Sequence, residues 1–279
     1  MSLEGLEHDL RAAVSGEVRF DAGSRALYAT DASNFRQPPI GVVIPKTIDD
    51  VVATHRICHD HRAPILARGC GTSLSGETVN YAVVVDFSKY LHEIGEIDPE
   101  RRTVRVQPGA INEQVNVATG KHGLVFGPDP STHAYCTIGG NIGNNSCGVH
   151  SLLARFEGNG SRTSDNVAEL DVLTYDGLRL RVGPTPEDEL ARIIAAGGRR
   201  GEIYRRLAEL RDRYADLIRE RFVDIPRRVS GYNVDELLPE KGFNVARALV
   251  GSEGTCVTVL EATLELVPQP PHRALVVVG

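Results

Sequence analysis

The stretch RGCGTSLSG, Arg68 to Gly76, comes directly after the apolar run Pro64-Ile-Leu-Ala67, which predicts a short strand ending where the glycines begin. Small residues in succession let main-chain N–H groups turn to one side as an anion-binding nest, and Thr72, Ser73 and Ser75 add hydroxyl donors. Arg68 either supplies a fixed positive charge or anchors the strand end. The familiar phosphate loops do not fit. A P-loop ends in Gly-Lys-Ser/Thr, and this stretch has no lysine. A G-x-G-x-x-G fingerprint accepts Gly69 and Gly71 but meets Leu74 at its third glycine, with Gly76 falling later. The next residues, ETVNYAVVVDFS, lead to another strand rather than a long helix. Alone, the loop is either an anion cradle or a tight turn without a ligand.

The rest of the chain narrows the choice of function. Its 279 residues suffice for one large or two modest domains with a sizeable core. A net charge of −6 and an aromatic content of 5% give no footing for nucleic-acid binding. No apolar run reaches the roughly 18–20 residues that span a bilayer, and MSLEGLEHDLRAAVSG lacks the basic flank and apolar core of a signal peptide. The expected location is cytoplasmic, compatible with peripheral association at a membrane. Cys58, Cys70, Cys136, Cys147 and Cys256 are odd in number and contain no C-x-x-C pair. They read as reduced, mostly buried thiols rather than as a metal or iron–sulfur site.

Strand and helix signals alternate irregularly. Thr47 is an N-cap for an amphipathic helix carrying Ile48, Val51, Val52 and Cys58, and AVVVDFS (82–88) is a buried strand. HEIGEID and RRTVRVQPG predict a hairpin about Asp98-Pro99-Glu100, and residues 111–122 a helix. VAELDVLTYDGLRLRV (167–182) predicts a second hairpin turning at Asp176-Gly177. Thr185 and Pro186 are expected at N-cap and N1 of the next helix. The long charged helix after it carries Leu207, Leu210, Tyr214, Leu217 and Ile218 as its apolar stripe. TCVTVLEATLELV (255–267) is a long strand, with alternation at Val257 and Val259 and then at Leu264 and Leu266. RALVVVG (273–279) is expected to begin a further strand. Without regular βαβ alternation the fold class is α+β.

A second glycine-rich segment, GPDPSTHAYCTIGGNIGNNSCG (Gly127 to Gly148), offers main chain without bulky side chains, so a flat ligand can approach closely. Gln107-Pro108-Gly109 ends a strand between the two loops, and GSEGT (251–255) opens a later one. Four such loops suit an extended ligand with a diphosphate at one point and a planar ring at another.

In this order RGCGTSLSG, VVVDFS, VQPG, GPDPSTHAYCTIGGNIGNNSCG, SDNVAELDVLTYDG and GSEGT resemble the FAD-binding domain of the vanillyl-alcohol-oxidase/PCMH flavoproteins. The branch they are most similar to is the FAD-linked 2-hydroxyacid dehydrogenases: D-lactate dehydrogenase, the glycolate oxidase FAD subunit and D-2-hydroxyglutarate dehydrogenase. The resemblance spans roughly residues 40–268. It implies a two-subdomain PCMH-type fold, with mixed sheets flanked by helices and a split near 110–130. Residues 1–39 would be a helical lead-in, and 269–279 the start of a truncated cap.

The resemblance also implies a site. Arg68, Gly69, Cys70, Gly71, Thr72, Ser73, Leu74 and Gly76 would wrap the FAD pyrophosphate. Pro130, Ser131, Ile138, Gly139, Gly140, Asn141, Asn144 and Gly148 would lie beside the flavin and its ribityl chain, with Gly109, Val167, Glu253 and Gly254 as further contacts. Thr72 stands where some relatives carry a flavin-linked His, so non-covalent FAD is expected. The implied substrate is a small 2-hydroxy acid. The electron acceptor stays open between an iron–sulfur segment, a quinone and a cytochrome, any iron–sulfur cluster lying outside this chain. His133 and His150 sit beside the loops, but neither is assigned as a base. Arg227, Arg228, Tyr232 and Asn233 either reach toward the site or pack at a hinge.

Overall fold

The computed structural model describes residues 2–152, 154, 159–270, 272, 274, 276 and 277; it has two larger sheets with helices against them and a short two-stranded one. The N-terminal part contains α1 (Leu3–Ala13), β1 (Glu17–Arg19), α2 (Ala22–Leu27), β2 (Gly41–Ile44), α3 (Ile48–Asp60), β3 (Ile65–Arg68) and β4 (Val83–Asp86). Its sheet has the order β1-β2-β4-β3, with β2 and β3 both parallel to β4 and β1 antiparallel to β2. The segment α3 forms as its sequence signals. Thr47 accepts from the Asp50 N–H, and the Asp50 carboxylate accepts from the Thr47 N–H, a complete capping box. Leu6 and Leu10 of α1 pack with Val43, Cys58 and Val83, so this helix covers α3 and the sheet.

The second part contains β5 (Ile94–Asp98), β6 (Thr103–Val106), α4 (Asn112–Gly120), β7 (Leu124–Val125), α5 (Ile138–Asn144), β8 (Val167–Leu173), β9 (Arg179–Val182), α6 (Glu187–Ala196), α7 (Gly198–Arg221), α8 (Val245–Leu249), β10 (Thr258–Glu265) and β11 (Val267–Pro268). Five strands form an antiparallel sheet ordered β5-β6-β10-β8-β9, and β7 pairs with β11. Both expected hairpins are present as β5–β6 and β8–β9. One face of the sheet buries Val104, Val106, Leu170, Val172 and Leu264 beneath the helices. The other carries an ion-pair ladder in which Arg105 meets Glu261 at 2.6 Å and Arg179 meets Asp171 at 2.6 Å.

The two larger sheets meet at an apolar junction of Val51, Val85, Phe87, Leu91, Leu173 and Leu260. Buried His55 bridges it, with Nδ1 2.9 Å from the Val51 carbonyl and Nε2 2.9 Å from Thr258 Oγ1. Burial pushes its pKa down, which favours neutral imidazole.

Three local expectations need correction. In α7 the buried face is Tyr204, Ala208, Arg211 and Ile218, whereas Leu210, Tyr214 and Leu217 are exposed. Tyr204 and the Arg211 guanidinium lie against the Phe243 ring, so the face is set by a distant loop rather than by the densest run of leucines. The helix α6 begins at Glu187 with Pro186 as its cap residue, because the Thr185 N–H is held by the Gly242 carbonyl. In β10 the buried positions are Thr258, Leu260, Ala262 and Leu264, and Val257 and Val259 face elsewhere. The strand expected over 273–279 falls largely on residues outside the described set.

Candidate cofactor cleft

Parallel neighbours β3 and β4 require a crossover, and here residues 69–82 provide it without a helix. The glycine-rich loop therefore leaves the C-terminal end of a parallel strand, where α/β sheets commonly place ligands. The Arg68 guanidinium fastens it. It donates to the Thr78 carbonyl and to the Thr30 carbonyl, each at 2.9 Å, and stacks 5.3 Å from the Tyr28 ring. Its role is thus anchoring, which leaves the main-chain groups of the loop as its free donors. Among the described residues, the N–H groups of Cys70, Gly71, Thr72, Ser73 and Leu74 have no protein acceptor.

The second wall is built differently. Thr137 caps α5 by accepting from the Gly140 N–H, while the Ile138 N–H donates to Ala110 O and the Gly139 N–H to Pro108 O. The start of α5 is consequently bonded within the protein. Its contribution to the cleft is the near-bare surface of Gly139, Gly140 and Gly143, flanked by Asn141 and Asn144. The walls meet at Gly69, where a Cβ would overlap Thr137 Oγ1. Only glycine permits that approach.

Between the walls lies a cleft of about 370 Å³, within the range of about 300–1,000 Å³ usual for small-molecule sites. Apolar side chains of Ala67, Phe87, Ile142, Leu249, Val257 and Val259 line part of it. Val257 and Val259 are thus cleft wall, which explains why the β10 alternation looked shifted in the sequence.

Of the residues singled out from sequence, Arg68, Gly69, Cys70, Gly71, Thr72, Ser73, Leu74, Pro130, Ser131, Gly139, Gly140, Asn141, Asn144, Glu253 and Gly254 line the cleft together. Gly76, Gly109, Ile138, Gly148 and Val167 do not. Gly109 and Gly148 pack against main chain, where a Cβ would overlap Phe87 O and Asp129 O respectively. Ile138 and Val167 are fully buried in the core behind the second wall. Sequence reasoning missed Glu77, Thr132, Thr137, Leu249, Val257 and Val259. Glu77 and Thr137 adjoin the recognised motifs, whereas Leu249 and the valines gave only a core signal.

The electrostatics are uneven. Burial raises the Glu253 carboxyl above its ordinary value, and the charge of Glu77 raises it further, against a bond from Asn144 Nδ2 at 3.2 Å. Burial also raises the Cys70 and Cys136 thiols, which keeps both protonated and poorly nucleophilic. Of the PRRVSGYN segment, Arg228 is tied to Asp235 at 2.6 Å and Asn233 to the Val250 carbonyl at 2.8 Å, so both are structural. Arg227 Nε donates to Cys147 Sγ at 3.3 Å, and Cys147 lines the cleft; Tyr232 pairs at 2.7 Å with Thr255 Oγ1, one residue beyond the lining Gly254, and neither Arg227 nor Tyr232 itself lines the cleft. His133 is about half exposed, with Nδ1 3.3 Å from Asp129, and is absent from the lining.

This donor set fits a flavin dinucleotide: unpartnered main-chain N–H groups for an anion, a glycine surface for a flat ring, and apolar lining. Comparison with known proteins agrees. A family model described as "FAD binding domain" matches residues 39–183. D-2-hydroxyglutarate dehydrogenase of Pseudomonas putida is 35% identical over 94% of this chain and 26% of its own length. Glycolate oxidase subunit GlcD of Bacillus subtilis is 31% identical over 93% of this chain and 44% of its own. The chain thus spans about a quarter to under a half of these relatives. Among solved structures, alkyldihydroxyacetonephosphate synthase superposes with a TM-score of 0.66 at 16% identity, covering 98% of this chain and 45% of that one, a likeness of fold. No described helix is long and apolar enough to cross a membrane. With its mixed sheets flanked by helices and its glycine-walled cleft, the chain belongs to the FAD-binding-domain family.

Proposed function

We propose that this chain is the FAD-holding part of an oxidoreductase that oxidises a small 2-hydroxy acid of the D-2-hydroxyglutarate, glycolate or D-lactate class. The observation that carries the reading is the cleft, whose first wall carries five successive main-chain N–H groups without protein acceptors and whose second is a glycine surface, with apolar side chains lining the space between. Bound FAD would supply the hydride acceptor for the substrate α-carbon.

The chain's own residues hold and shape. The N–H groups of Cys70 to Leu74, with the hydroxyls of Thr72 and Ser73, would bind the pyrophosphate. Gly139, Gly140 and Asn141 would flank the ring system, and Val257 and Val259 would keep water from its apolar edge. Thr72 has no nucleophilic nitrogen, and the Cys70 and Cys136 thiols of the cleft are held protonated, so the cofactor would be held without a covalent bond. The similarity to D-2-hydroxyglutarate dehydrogenase and to a glycolate oxidase subunit supports the substrate class. Electrons would leave to an acceptor outside this chain. The test is anaerobic. FAD-loaded protein should lose its visible flavin absorption with D-2-hydroxyglutarate, glycolate or D-lactate, and persistence of the colour with all three would reject this substrate class.

A further inference from the structure

Among the described residues, five buried side-chain polar atoms lack a partner: Glu77 Oε2, Asn141 Nδ2, Asn145 Nδ2, Ser164 Oγ and Asn233 Oδ1. Two of these residues, Glu77 and Asn141, line the cleft. A buried carboxylate oxygen without a hydrogen bond is costly, and such atoms persist where a ligand completes them. The Glu77 N–H is bonded to Ser73 Oγ, which fixes this residue to the first wall. Glu253 belongs to the second wall. Its N–H donates to the Gly143 carbonyl at 3.0 Å, its Oε1 accepts from Asn144 Nδ2, and its main chain is left-handed with φ 52°. Both carboxylates line the cleft, and the charge of Glu77 raises the Glu253 carboxyl. Asn141 is only 1% exposed and lines the same cleft, and its amide donor has no protein oxygen acceptor, only the Cys136 sulfur nearby.

The chemistry of this trio selects its ligand. Phosphate is repelled by two carboxylates. A metal ion would need more oxygen ligands, and no group of three or more His, Cys, Asp or Glu side chains suited to a metal occurs among the described residues. A hydroxyl group meets both needs, because it donates one hydrogen to a carboxylate and accepts from an amide.

We propose that Glu77, with Glu253 and Asn141, forms a hydroxyl-recognition site that binds vicinal hydroxyls of the dinucleotide held in this cleft. The inference rests on the FAD reading. Two parts of FAD carry such hydroxyls, the ribityl chain and the adenosine ribose, and they share this chemistry.

The test uses the full chain and its Glu77→Gln and Asn141→Asp variants. Affinity for FAD is measured by fluorescence titration, affinity for riboflavin (ribityl only) and ADP (ribose only) by calorimetry, and ligand-free Tm in parallel. The Gln keeps the shape of Glu77 but relieves its repulsion with Glu253. Ligand-free Tm should therefore hold or rise, while FAD affinity falls tenfold or more, the loss of a bond to a charged acceptor. Asn141→Asp should lower FAD affinity in the same sense. A loss repeated with riboflavin places the site at the ribityl chain, and one repeated with ADP places it at the ribose. FAD affinity of Glu77→Gln within twofold of the parent overturns the proposal and leaves the FAD reading intact. A fall in Tm that accompanies the weaker binding assigns Glu77 a structural role and also overturns it. Failure of the parent chain to bind FAD removes both.

Discussion

The two walls of the cleft are rich in glycine for opposite reasons. In the first wall the main-chain N–H groups of Cys70 to Leu74 are unpartnered, and the loop is held from outside by the Arg68 fork on two carbonyls. In the second wall the early N–H groups of α5 are bonded to Thr137, Ala110 and Pro108, and glycine serves to remove bulk. One wall offers donors; the other offers space. Similar composition in sequence thus hides two distinct roles, and substitutions should separate them.

The junction between the walls should be the most sensitive point. Gly69→Val places side-chain atoms where Thr137 Oγ1 sits, which is overpacking with a cost of about 1–3 kcal/mol. Because the clash also forces the walls apart, FAD affinity should fall at least a hundredfold by fluorescence titration, with a lower Tm in thermal denaturation. Next in size is Arg68. Lys keeps the charge but loses the fork, so Arg68→Lys should behave like Arg68→Met and cost about 2 kcal/mol in chemical denaturation. If Arg68 instead acted as an anion-binding charge, Lys would restore most of the FAD affinity lost in the Met variant.

Gly140→Ala probes the second wall on its own. A Cβ there would meet only Thr137 Oγ1, at 3.2 Å, so stability should change little. The added methyl narrows the cleft, and FAD affinity should fall about threefold to tenfold. The smallest effect concerns pH. Glu253 has a carboxyl raised above its ordinary value of 4.5 by burial and by Glu77. Such a group binds its proton more tightly folded than unfolded. Its contribution to stability is full below pH 4.5 and is lost as pH rises through the raised value. Ligand-free Glu253→Gln should show a flatter decline of Tm over that interval than the parent chain.

Much of the fold was legible because local signals carried it. The Thr47–Asp50 capping box defines α3, and the two hairpins arise from alternation about turn residues. Both loops of the cleft were legible too, since runs of small residues after a strand have few other uses. The features that escaped are decided by contacts remote in sequence. The buried face of α7 is chosen by Phe243, and nothing within the helix says that Leu210, Tyr214 and Leu217 remain outside. Val257 and Val259 looked like core because cleft and core are equally apolar there. Gly109 and Gly148 were grouped with the ligand loops, although their missing side chains make room for the protein's own carbonyls. Glycine in a sequence reports a close approach, but not what approaches.

The central claim is that the unpartnered N–H groups of the first wall and the bare surface of the second hold one FAD. The direct measurement is titration of the purified, flavin-free chain with FAD, then acid precipitation and separation of protein from supernatant. The predicted result is one FAD bound per chain and full recovery of the flavin in the supernatant. A folded chain that takes up no FAD would contradict it.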